Sequence, residues 1–145
     1  MARRCRLLAA VTEMGYAHVR RALIPDFDLV AAYTHAQAMV ALQQGSIDVI
    51  LCSIHFDESR MFELLVAART AAPQIPFICC QLVGTALRPS LIQSMVSAAE
   101  SQGALGFINY NAALRTRATA EADRYLREEL RRLLPPDVEC AAAGM

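Results

Sequence analysis

The sequence predicts an α/β domain: a parallel sheet with helices on both faces. Two observations carry that expectation. Five short apolar runs of strand length alternate along the chain with five stretches of helical spacing. The runs are also nearly unbroken rather than alternating, as suits strands covered on both sides. The clearest unit runs from Gly45 to Leu65. Ile47 to Ile54 reads as a buried strand, His55 to Arg60 as a polar turn, and the segment from Met61 as a helix. Strand–helix alternation at this pitch implies right-handed crossovers and a parallel sheet, with any site near the carboxyl ends of the strands. Here that means Cys52 to Asp57.

Along the chain, Arg6 to Val11 is a short buried strand, and Thr12 suits the cap of a helix from Glu13 to Ile24, which Pro25 stops. Met14, Ala17, Val19, Leu23 and Ile24 form its expected inner face. Phe27 to Tyr33 is the second strand. Thr34 caps His35 to Gln44, with Ala36, Met39, Val40 and Leu42 expected inward and Gly45 ending the helix. The third helix runs from Met61 to about Ala71, before Pro73. Ile75 to Leu82 is the fourth strand, with Pro76 near its start, where a missing N–H is tolerated. Pro89 opens a helix whose stripe is Leu91, Ile92, Met95, Val96 and Ala99. Ala104 to Ile108 is the fifth strand and Asn109-Tyr110-Asn111 a turn. The last helix covers about Thr116 to Leu134, with Ala122, Tyr125, Leu126, Leu130 and Leu133 on one face, and Pro135-Pro136 end it. Residues 1–136 are expected to form the domain and 137–145 a flexible tail.

Composition narrows the function. The chain has 145 residues, enough for one core, and a net charge of zero, so no basic field draws it to nucleic acid. No apolar run reaches the roughly 20 residues of a membrane span, and the basic start lacks the pattern of a signal peptide, so the cytoplasm is the expected compartment. All 14 basic residues are arginine. Chemistry that needs a lysine, such as a Schiff base or a phosphate-contacting ammonium, is excluded. An all-arginine, alanine-rich composition is also what a GC-rich bacterial genome encodes. The five cysteines, odd in number and without a CxxC, argue against a disulfide framework. Cys5 and Cys140 lie near the termini and are expected to be exposed thiols.

In element order and apolar pattern, the chain resembles the receiver domain of response regulators over its whole length. The best segments are Asp48 to Ile54 followed by Phe62-Glu63-Leu64-Leu65, Ile75-Pro76-Phe77-Ile78, and Gly103 to Ile108. The resemblance implies a flavodoxin-like (βα)5 three-layer sandwich with a five-stranded sheet of order 2-1-3-4-5. It also implies a chemistry that can be checked by position. The phosphoacceptor aspartate falls at Ser53, and the strand-four Thr or Ser falls at Gln81. The strand-five lysine falls at Tyr110, and the proline after it at Asn111. The acidic Mg²⁺-holding pair falls near Ala10 and Val11, with Glu13 the nearest carboxylate. A hydroxyl is a far weaker nucleophile than a carboxylate unless a base activates it, and Mg²⁺ prefers carboxylate oxygens. The resemblance thus implies a receiver fold whose phosphotransfer site is gone: a degenerate receiver with vestigial positions at Ser53, Gln81 and Tyr110.

Other candidate sites stand beside plainer accounts. Ser53, His55 and Asp57 invite a hydrolytic reading, but residues this close in sequence rarely converge as a triad, and no Gly-x-Ser-x-Gly elbow is present. Cys52 and Cys80 precede the Ser53 and Gln81 positions and could lie side by side, with Cys79 adjacent. They suggest a thiol pair or, with His55, a soft-metal site. Filling of buried strands accounts for them as well. A vacated pocket would be framed by Glu13, Cys52, His55, Asp57 and Cys80. Along the last helix, Arg117, Arg124, Arg127 and Arg131 are interleaved with acids, which suits either a solvated face or a partner surface. In receivers the fourth helix, fifth strand and fifth helix commonly form a dimer face, where Tyr110 could anchor a partner.

The resulting expectation is a stand-alone, non-enzymatic signalling module that binds a protein partner, a second copy being one candidate, without phosphorylation, resident metal or cofactor. The alternative is a small-molecule or thiol sensor that uses the vacated pocket. A sensor should show convergent polar groups at the strand ends. An interaction module should show that site packed shut and an apolar patch elsewhere.

Overall fold

The computed structural model describes residues 4–136 and Val138; apart from Val138, the expected tail lies outside the described residues. Five parallel strands form one sheet: β1 (Cys5–Ala10), β2 (Phe27–Ala32), β3 (Val49–Ser53), β4 (Phe77–Gln81) and β5 (Gly106–Asn109). Their order is β2-β1-β3-β4-β5, as the resemblance implied. Among the described residues six helices connect and cover them: α1 (Glu13–Leu23), α2 (His35–Gln43), α3 (Met61–Ala71), α4 (Pro89–Ser101), α5 (Tyr110–Thr116) and α6 (Thr119–Leu133). This is the flavodoxin-like three-layer sandwich.

Both faces of the sheet are buried. Leu8, Ile50, Cys52, Phe77 and Cys79 point to the side of α2 and α3. Leu7, Val49, Leu51, Ile78 and Cys80 point to the side of α1 and α6. That is why the strands read as continuous apolar runs: a parallel sheet between two helical layers has no wet face to encode. The predicted caps are present. Thr12 Oγ1 accepts from Gly15 N at 3.0 Å, and Thr34 Oγ1 from Gln37 N at 3.1 Å.

Four expectations are corrected. Asn109 to Asn111 is not a turn. Asn109 Oδ1 accepts from Ala112 N at 3.0 Å and caps the extra helix α5, so the last predicted helix begins later, at Thr119. The inner face of α2 is Ala38, Ala41 and Leu42, while Ala36 and Val40 are exposed. On α1 it is Gly15, Val19, Ala22 and Leu23, while Met14, Ala17 and Ile24 are exposed. A helix with apolar residues around more than one face leaves its direction to tertiary packing. Cys5, expected as an exposed thiol, is fully buried and disulfide-bonded, which the odd cysteine count did not suggest. Cys140 lies outside the described residues.

Candidate functional site at the strand ends

The carboxyl ends of β1, β3 and β4 frame an open concavity of about 460 Å³, lined by Thr12, Met14, His55, Val83, Gly84, Thr85 and Leu87. Of the five residues expected around a vacated pocket, only His55 lines it. Glu13 is exposed in the first turn of α1. Cys52 and Cys80 are fully buried on opposite faces of the sheet. Asp57 turns away: its Oδ2 accepts from His35 N at 2.8 Å, at the start of α2, and lies 3.5 Å from Arg60 Nη1. To do so the chain runs through three consecutive left-handed residues, Asp57, Glu58 and Ser59, at φ 44°, 57° and 68°. This is costly backbone, held by the bond to α2.

Ser53 ends β3 and is 3 % exposed, opposite Cys80 in register. Its Oγ and the Nε2 of His55 are buried and hydrogen-bond to no described residue. Neither forms a nucleophile–base pair, and Asp57 is committed elsewhere, so the hydrolytic set does not assemble. No group of three or more His, Cys, Asp or Glu among the described residues could hold a metal.

The thiols are rearranged too. Cys52 pairs in register with Cys79, not Cys80, because strand alternation sends Cys80 to the far face. Cys52, Cys79 and Cys80 are free. Burial pushes the Cys79 thiol up to about 12, and it raises Cys52 and Cys80 strongly as well. These groups stay protonated at neutral pH and are poor nucleophiles.

Gln81, Tyr110 and Asn111 all make internal hydrogen bonds. Gln81 is buried and donates from Nε2 to Thr85 O at 3.0 Å. Asn111 Nδ2 donates to Gly84 O at 3.1 Å. Tyr110 is fully buried and faces α1 and α6, so in this arrangement it anchors no partner. Its hydroxyl donates to Asp123 Oδ1 at 2.6 Å and accepts from Arg21 Nη2 at 2.8 Å. Arg21 Nε also donates to Asp123 Oδ2 at 2.7 Å, and His18 Nδ1 lies 2.9 Å from Arg21 Nη2. Burial and the hydrogen bond to Asp123 raise the Tyr110 phenol. For Asp123 burial works upward, but hydrogen bonds from Arg21 and Tyr110 outweigh it and hold the carboxyl below its ordinary value. His18 is lowered by burial and by the Arg21 charge.

His18, Arg21 and Asp123 were missed in the sequence. The available signal was Asp123 itself: it lies three residues before Leu126 and seven before Leu130, inside the apolar stripe of α6. Two arginines of the expected partner face bond within the chain, Arg127 from a partly buried position and Arg131 from an exposed one. Arg127 donates to Ala22 O at 2.9 Å, and Arg131 pairs with Asp26. Arg117 and Arg124 remain exposed, the former stacked over Tyr125.

The geometry defines a class by fold: a response-regulator receiver fold. The chain is similar to a response regulator from Thermotoga maritima, with 14 % identity over 90 % of this chain and 97 % of that one at a TM-score of 0.66. It is also similar to the chemotaxis protein CheY4 of Vibrio cholerae, at 19 % identity, covering 90 % and 99 %, TM-score 0.66. A signal receiver domain of an HD domain-containing protein from Pseudomonas fluorescens Pf-5 matches at 18 % identity, covering 90 % and 98 %, TM-score 0.61. Identities this low speak to fold alone. No protein-family model and no curated protein matches the chain.

Proposed function

We propose that this chain is a degenerate receiver: a non-enzymatic signalling module that acts by protein–protein contact without aspartyl phosphorylation. The observation that supports the reading best is at the end of β3, the position at which receivers carry their phosphoacceptor. Ser53 stands there, buried, with its Oγ unpartnered among the described residues. A buried hydroxyl without a base cannot match a carboxylate as phosphoryl acceptor. The chain has no lysine to neutralise a phosphoryl oxygen. The partner face favoured by this reading is α4 with β5 and α6, and a second copy of the chain is the occupant it names. Only Ala99 of α4 is fully buried, and Leu91 is 40 % exposed.

The small-molecule reading has the concavity in its favour. Its lining, one imidazole and two threonines among Met14, Val83, Gly84 and Leu87, lacks the convergent polar groups that orient a ligand. The raised thiols speak against a redox version.

The test is incubation with Mg²⁺ and acetyl phosphate, or with beryllofluoride, followed by intact mass and oligomer size. Unchanged mass and size are expected. A stable phosphoryl adduct, or a shift in size caused by either reagent, would sink the proposal.

A further inference from the structure

The connection from β4 to α4, residues 82–88, is fastened from one side. Gly84 O accepts two donors, Asn111 Nδ2 at 3.1 Å and Arg115 Nη2 at 3.2 Å. Arg115 Nε also donates to Asn111 Oδ1 at 3.0 Å, which orients the amide for its own bond. One residue on, Gln81 Nε2 holds Thr85 O. The two residues that grip Gly84 belong to α5, the helix that the chain pattern did not announce. Gly84 itself sits at φ 137°, and a Cβ there would lie 3.0 Å from His55 Nε2. The segment is pressed onto the imidazole on one side and clasped by α5 on the other.

Helix α4, immediately after this connection, is weakly held. It begins with Pro89 after an Arg88 that makes no side-chain cap bond, and only Ala99, near its far end, is fully buried. Leu87, two residues before the helix, and Met95, at its middle, pack against the core while themselves only partly buried. The N-terminal half of α4 therefore has few buried contacts of its own and depends on where residues 82–88 leave it.

We propose that Asn111, Arg115 and the Gly84 carbonyl form a conformational latch that positions the N-terminal half of α4. Closed, the latch fixes the surface carrying Leu91 and Met95 and keeps Gly84 over His55. Open, it releases residues 82–95 and uncovers His55 Nε2. Arg115 is exposed, so the latch is accessible from the surface. The latch deepens the functional reading by naming what sets the α4 face. It rests on that reading only for the use made of the face.

Hydrogen exchange on the full chain tests it, with no partner or phosphoryl donor present, so its failure is separable from failure of the functional proposal. Asn111→Leu keeps the bulk and loses the bond; Arg115→Gln alters a surface residue and serves if the first variant does not fold. Each folded variant is expected to speed exchange across residues 83–95 at least ~10-fold, with β1 and β3 unchanged, as sub-global opening predicts. Exchange in 83–95 that stays at the wild-type rate, or that rises equally in every strand, overturns the latch.

Discussion

At the scale of single residues, the most consequential side chain is Asp123. A carboxylate at 8 % side-chain exposure is tolerated because Arg21 and Tyr110 satisfy both oxygens. Asp123→Asn would keep the shape but lose the charge. We expect it to cost ~1–3 kcal/mol at neutral pH, since a buried charged hydrogen bond is lost and its partners are poorly paired. The pH dependence has a definite sign. The folded-state pKa is depressed, so the contribution is fully present above the unfolded carboxyl pKa of ~3.9 and lost as pH falls through the folded value. Urea unfolding of the two proteins should show a gap at neutral pH that narrows in acid; a gap that persists unchanged would mean the carboxylate is not the source.

At the scale of elements, β3 and β4 carry a prediction about their thiols. Cys52, Cys79 and Cys80 are buried and raised, so the folded chain should leave them unlabelled by iodoacetamide at neutral pH, and denaturation should expose all three. Peptide mapping would read this, and prompt labelling of any of them in the native state would contradict the burial. The strands themselves were legible because local apolar runs report burial directly. The cysteine pairing was not: a strand's start must be known to one residue before its register is known, and a one-residue slip exchanges the faces. Helix α5 was missed for a similar reason. Asn109 and Asn111 look like turn residues in sequence, and only the Asn109 bond to Ala112 N makes the first a cap.

At the scale of the whole molecule, the question is which surface is left for a partner. The seam of α1 and α6 is closed by its own polar pairs, including Arg127 with Ala22 and Arg131 with Asp26. Helix α4 is not so closed. Leu91→Glu should change folding stability by less than ~0.5 kcal/mol, as for a surface position away from special features. If two copies meet on this face, the same change should turn a dimer into a monomer by light scattering, because a buried unpaired charge is costly. A wild-type chain that is monomeric at all concentrations would remove the second copy as the occupant.

The amino-acid sequence determined the order of the five strands and of five of the six helices, the two-sided burial of the sheet, and the lack of lysine. Each is a local or compositional property, legible without knowing what lies opposite. Tertiary structure decided the direction of Tyr110, the pairing of Cys52 with Cys79, and the capture of Asp57 by α2. It also decided the grip of α5 on Gly84. These depend on groups distant in the chain: Arg21 and Asp123 are 102 residues apart, and Arg115 and Gly84 are 31. A hydrogen bond is worth forming only where folding has already excluded water and brought both partners within reach, and no local pattern encodes that meeting.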